Sequence, residues 1–198
     1  MKKLMSFLIL LVIVSCANSI PSNQDDICDI LAENPRWQNS LLKAKQKWNA
    51  DPSTVMAIIR QESSFNSNAA PEREKILGFI PWKRPTSAKG YSQAIEGTWE
   101  QYQSETGQNR AKRSNFDNSV DFIGWYLSKA PSVRIRNFEV DKLYLAYHEG
   151  YGGYKRRSYT DKDWLMDVAR KVKYNAVRYE RQLKKCPLKE KKGFFGIF

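Results

Sequence analysis

The sequence predicts an all-α domain with a loop-rich middle, and three observations carry this. Apolar residues recur at helical spacing in five or six separate segments, residues suited to helix caps stand at the start of several of them, and no alternating apolar–polar run of any length occurs. The chain has 198 residues, 41% hydrophobic and 27% charged. That length suits one compact domain with terminal extensions.

The segments follow in order. Trp37, Leu41, Ala44 and Trp48 fall on one helical face, with Pro35 placed for a first turn. Asp51-Pro52 reads as an N-cap followed by an N1 proline, opening a helix with Val55, Met56, Ile58 and Ile59 inward. The stretch from Asn66 to Gly97 loses this periodicity and reads as loop. Thr98 with Gln101 fits a capping box for a short helix bearing Trp99 and Tyr102. Asn115 caps a helix whose stripe is Phe116, Val120, Ile123 and Leu127, and Val140, Leu143, Tyr144 and Tyr147 form the next. Leu165, Val168, Val172, Ala176, Tyr179 and Leu183 mark a long last helix that stops before Cys186-Pro187.

The N-terminus reads as an export signal. Lys2 and Lys3 precede an apolar run, Leu4 to Val14, too short for a membrane span and suited to a signal-peptide core. The run ends in IVSC, a lipobox-like ending that makes Cys16 the expected lipidation site and mature N-terminus, against the plainer reading of an ordinary leader with an incidental cysteine. Ala17, where an aspartate would retain the protein at the inner membrane, points to the outer membrane facing the periplasm. The expected organisation is a signal peptide over 1–15, a polar tether over 16–33, the domain over 34–186 and a basic, aromatic tail over 187–198.

The formal charge is +12, and loss of two lysines with the leader leaves it strongly positive. Such a surface favours polyanions, or simply solubility, and export argues against nucleic acid as the partner. With Cys16 lipidated, Cys28 and Cys186 remain as the pair for a disulfide in an oxidising compartment. A single histidine and no CxxC leave no zinc site, so neither a metal nor another cofactor is expected. Nothing in the sequence sets an oligomeric state.

Glu62 is the candidate for chemistry. It follows Ile58 by four residues and Ile59 by three, so it shares the apolar face, and it lies near the helix C-terminus. Desolvation and the negative end of the helix dipole both raise a carboxyl pKa there, as a glycosidic general acid requires. Periodicity alone equally allows a solvated glutamate at a helix end.

Three segments then decide the matter. RQESSFN, Arg60 to Asn66, resembles the first motif of the lytic transglycosylases related to goose-type lysozyme, where a helix ends in Glu-Ser-x-Phe. GYSQA, Gly90 to Ala94, is similar to that family's Gly-Leu-Met-Gln motif, and AYHEG, Ala146 to Gly150, to its Ala-Tyr-Asn-Ala-Gly motif. All three occur in the family's order. The sequence departs at Pro71, where the family often has serine, and at Tyr91-Ser92 and His148-Glu149. It also carries the long link PEREKILGFIPWKRPTSAK, which is expected to line or cover part of the glycan cleft.

The resemblance implies a lysozyme-like, goose-type fold and a peptidoglycan lytic transglycosylase that cuts the MurNAc–GlcNAc β-1,4 bond with anhydro-MurNAc formation. Glu62 would be its single catalytic acid/base. The candidate substrate-binding residues are Ser63, Gln93, Tyr147, His148 and Trp82. Several have a structural alternative: Tyr147 as a core tyrosine, Gln93 as part of a loop network, His148 as a packing residue, and Phe79 and Trp82 as loop anchors. The partners implied are peptidoglycan glycan strands, and the membrane through the N-terminal lipid. The competing readings are a water-using muramidase and a non-catalytic glycan-binding or scaffolding lipoprotein.

Overall fold

A computed structural model of the chain describes residues 20–78 and 80–189. The signal segment, Cys16, Phe79 and the end of the tail fall outside the described residues. Seven α-helices make up the described fold: α1 (Ile27–Glu33), α2 (Trp37–Trp48), α3 (Pro52–Ser63), α4 (Glu96–Thr106), α5 (Phe116–Leu127), α6 (Val140–Lys155) and α7 (Asp163–Leu183). A 3-10 turn at Ala130–Val133 joins α5 to α6. The all-α class read from the sequence is the observed one.

The compact unit begins within the span read as tether. Asp26 caps α1 by accepting from the Cys28 N–H at 2.8 Å, and Ile27 and Ile30 are fully buried. Three apolar side chains in seven residues give this short helix a reason to dock, which its length alone would not. Cys28 and Cys186 form a disulfide with their Cα atoms 5.9 Å apart, which fastens α1 to the segment just after α7. The Tyr179 hydroxyl donates to the Gln24 carbonyl, and Asp25 pairs with Arg60 and Arg178, each at 2.7 Å.

α7 lies across both α3 and α6, while α2 packs along α5. The α2–α5 approach is close enough that a Cβ at Gly124 would stand 2.6 Å from the Trp48 ring. Trp37 stacks on Phe116 at 3.9 Å, nearly parallel, and Asp121 receives the Trp48 indole N–H and the Tyr102 hydroxyl, both at 2.8 Å. The carboxylate thereby ties α2, α4 and α5 together.

Three local expectations are corrected. Pro35 sits in the turn before α2 rather than inside its first turn. α4 starts at Glu96, not after Thr98, because Ser87 of the preceding loop accepts from the Glu96 N–H at 2.9 Å and supplies the cap. Gln101, freed from a capping box, bonds Glu105 one turn on at 2.8 Å. Finally, the loop-rich middle contains a small antiparallel hairpin, β1 (Lys75–Ile76) with β2 (Ile80–Pro81), turned through Leu77 and Gly78 at positive φ. Two-residue strands carry no alternation that a sequence pattern could reveal.

Candidate active site

α3 delivers Glu62. Asp51 caps it by accepting from the Thr54 N–H at 3.0 Å, Pro52 occupies its first turn, and residues 52–59 are all buried. The helix stops abruptly because Ser64 and Phe65 both take left-handed backbone conformations. Phe65 thereby turns into the core and is fully buried. The Ser63 hydroxyl bonds the Ile59 carbonyl at 3.0 Å and the Tyr91 carbonyl at 2.9 Å, which pins the end of α3 to the Gly90–Ala94 loop.

That loop requires glycine at its head. Gly90 has φ +74°, and a Cβ there would lie 1.9 Å from the Arg113 carbonyl oxygen. Gln93, itself at positive φ, donates its side-chain amide to the carbonyls of Ala69 at 2.9 Å and Gly90 at 2.8 Å. The loop is thus held from within, and the side chain still reaches the cleft wall.

The cleft has a volume of about 490 Å³, and its wall includes Glu62, Gln93, Phe122, Tyr126, Tyr147 and His148. A second cavity, about 410 Å³, opens at the opposite end of α3 beside Asp51, whose carboxylate is occupied as a cap. The other carboxylate of that cavity, Glu180, is exposed, so neither matches the buried Glu62. Among the described residues, Glu62 Oε1 is buried and without a hydrogen-bond partner. Burial pushes the Glu62 carboxyl up to about 7, and a hydrogen bond from the Tyr144 hydroxyl partly opposes the rise. Tyr144, on α6, was not singled out by motif reasoning for this contact. Its signal was available in the spacing, since it sits three residues before Tyr147 on the same stripe.

Tyr147 reaches the cleft wall, and its hydroxyl donates to the Ser92 carbonyl at 2.7 Å. Its ring packs edge-on against Tyr126 at 5.1 Å. Burial and the neighbouring Glu62 carboxyl hold the Tyr144 and Tyr147 phenols well above their ordinary value, so both remain donors.

His148 and Glu149 complete the wall. Burial alone would raise the Glu149 carboxyl, but Lys162, Ser158 and His148 bring it down to about 2. Lys162 Nζ lies 2.7 and 2.9 Å from its two oxygens, Ser158 bonds one and His148 Nδ1 approaches the other at 3.1 Å. Two glutamates in one cleft are therefore driven in opposite directions, one to a protonated acid and one to a fixed carboxylate.

The structure brings Glu62, Gln93, Tyr147 and His148 to a single cleft and leaves Ser63 and Trp82 out of its wall. Ser63 is buried behind the helix end with its hydroxyl committed to two carbonyls. Trp82, 53% exposed, belongs to the hairpin, where its N–H bonds the Glu74 carbonyl at 2.6 Å. Of the long link, Thr86 and Ala88 line the cleft.

No curated protein matches the chain. The family pattern of the transglycosylase SLT domain matches residues 4–186, a stretch that takes in Glu62, the Gly90 loop and the His148 end of the cleft. The chain therefore belongs to the transglycosylase SLT domain family, whose function is of the lytic-transglycosylase, peptidoglycan-degrading type.

Proposed function

We propose that this protein is a peptidoglycan lytic transglycosylase in which Glu62 alone serves as acid and then as base. The observation that carries the reading is the Glu62 carboxyl itself: buried at the cleft, one oxygen without a protein partner, and raised to about 7. A carboxylic acid still protonated near neutrality can donate to a glycosidic oxygen.

The reaction balances with one carboxyl group. Glu62 gives its proton to the glycosidic oxygen between MurNAc C1 and GlcNAc C4, and the C1–O bond breaks as positive charge develops at C1. The MurNAc 6-hydroxyl then attacks C1 and yields its proton to the Glu62 carboxylate. The products are a 1,6-anhydro-MurNAc end and a free GlcNAc 4-hydroxyl, with the acid restored and no water consumed. An attacking hydroxyl carried on the same sugar has a high effective concentration, which removes the need for a base-activated water.

Glu149 supports this single-carboxyl scheme rather than a water-using muramidase. Its oxygens are already engaged by Lys162, Ser158 and His148, so it has no open position at which to take a proton from water. Tyr144 holds one side of the Glu62 carboxyl, and Gln93, Tyr147 and His148 are assigned to sugar contacts along the wall.

We further propose that the chain is exported, lipidated at Cys16 and held at the outer membrane facing the periplasm, on the sequence signals IVSC and Ala17. The central test is mass spectrometry of products released from purified sacculi. Anhydro-muropeptides are expected from the wild type and none from Glu62→Gln. Hydrated reducing ends would replace this mechanism with hydrolysis, and glycan binding without products would replace it with scaffolding.

A further inference from the structure

The cleft ends in a polar cluster that the acid–base chemistry does not use. Glu149 is the last residue before a break in α6, where Gly150 takes φ +71° and ψ +156°. Its side chain is only 6% exposed and is clamped by Lys162 from the loop ahead of α7 and by Ser158. Gly153 makes room for it, since a Cβ there would lie 2.9 Å from Ser158 Oγ and 3.0 Å from Glu149 Cβ.

What this clamp holds is His148. An ionised carboxylate can only accept, so the 3.1 Å approach of Glu149 Oε1 to His148 Nδ1 places the imidazole proton on Nδ1. In the neutral ring, Nε2 is then a bare acceptor. The same ring meets Trp164, in the first turn of α7, edge to face at 5.4 Å. Trp164 is 56% exposed although it is large and apolar. One turn back along α6, Tyr144 bonds the Glu62 carboxyl, which sets this pair beside the acid.

We propose that His148 and Trp164 form an additional sugar subsite at the lip of the cleft, with Glu149 as the positioning residue that turns His148 Nε2 to accept from a sugar hydroxyl or acetamido N–H. The exposed indole supplies a flat apolar surface for the C–H face of a pyranose ring, and the imidazole supplies one directed acceptor. The occupant is a hexosamine unit of a β-1,4-linked glycan strand lying beyond the bond that is cut. The subsite rests on the glycan-cleaving reading above.

His148 is the only histidine in the chain, so its ring nitrogens can be observed without assignment ambiguity. The experiment uses full-length, ¹⁵N-labelled Glu62→Gln protein and a β-1,4-linked hexamer of N-acetylglucosamine. The neutral imidazole is expected as the Nδ1–H tautomer, with the Nε2 resonance moving on addition of the hexamer. Trp164→Ala should weaken hexamer binding by roughly 3- to 10-fold. In the otherwise wild-type enzyme the same change should fall on KM rather than kcat. Glu149→Gln should shift the tautomer balance toward Nε2–H and weaken the hexamer as well. An Nε2–H tautomer in the parent protein, an unmoved His148, or full affinity in Trp164→Ala would overturn the subsite. Anhydro products from wild-type protein alongside any of those results would overturn the subsite alone, whereas the absence of both products and binding would overturn the glycan-cleaving reading too.

Discussion

The Tyr144 hydroxyl donates to the Glu62 carboxyl from the neighbouring helix, while the other tyrosine of that stripe, Tyr147, donates to the Ser92 carbonyl instead. The two phenols divide the work: one restrains the acid, the other fastens α6 to the Gly90–Ala94 loop. Removing the first should change the titration of Glu62 without opening the loop. Tyr144→Phe deletes the one hydrogen bond that lowers the Glu62 pKa and leaves the burial that raises it. The alkaline limb of the kcat/KM profile should therefore move above its wild-type position near 7. A limb that stays in place or moves to lower pH would detach Tyr144 from the acid.

Glu62→Gln should abolish turnover, by at least the ~10²–10⁴-fold that general acid–base groups contribute. It should also stabilise the protein in a pH-dependent way. The folded Glu62 pKa of about 7 lies above the ordinary 4.5, so the wild type loses stability as pH rises through that window. The gain from Gln should be small below about 4.5 and grow to about 3 kcal/mol above 7. Urea denaturation of both proteins at pH 4.5 and pH 8 checks the slope, and a difference independent of pH would contradict the burial of this acid.

Gly90→Ala should be among the most damaging single changes near the site. A methyl group there meets the Arg113 carbonyl at 1.9 Å, and the backbone has φ +74°. A loss of about 2–4 kcal/mol is expected, with activity falling alongside as Gln93 and Ser63 lose their anchors. Circular dichroism melts and product release, measured on the same sample, test this. Wild-type stability would mean that the loop can relocate.

Breaking the Cys28–Cys186 bond should lower stability by roughly 4–5 kcal/mol at most, because the closed loop spans nearly the whole domain. Reduction of the wild type and a Cys28→Ser, Cys186→Ser double variant should behave alike. Peptide mapping of the protein isolated from cells under non-reducing conditions is the direct check, and two free thiols there would refute the pairing.

Cys16→Ala should release the protein from the membrane fraction into the soluble periplasm, with the cleft unaffected. Membrane fractionation before and after the change tests this. Unchanged partitioning would dismiss lipidation as the anchor.

Helix positions were legible because caps and stripes are local. Asp51 and Asn115 each sit where their side chains meet backbone N–H groups three residues on, and the stripe from Leu165 to Tyr179 is buried at its inward positions. The Thr98 box failed because a distant residue, Ser87, supplied the cap first. α1 was hidden among polar neighbours, since only three of its seven residues are buried and its docking depends on α7 and a covalent link. At the cleft, the placing of Glu62 on an apolar face near a helix end could be read from spacing. The Glu149 clamp could not, because Lys162 and Ser158 come from a loop whose path back to α6 no periodicity encodes. Trp164 carries no such signal either: it stands ahead of the apolar stripe of α7 and is largely exposed, and only the fold brings it to His148.

The disulfide also sets how this domain bears a load. Any tension on the chain ahead of Asp26 meets a seven-residue helix that would otherwise peel away a turn at a time. At Cys28 the pull passes through a covalent bond to the segment just after α7, the longest described helix, which packs against α3 and α6. Force entering ahead of α1 is shared between the Cys28–Cys186 bond and the ion pairs of Asp25 with Arg60 and Arg178, so only part of it reaches α3, the helix that carries Glu62.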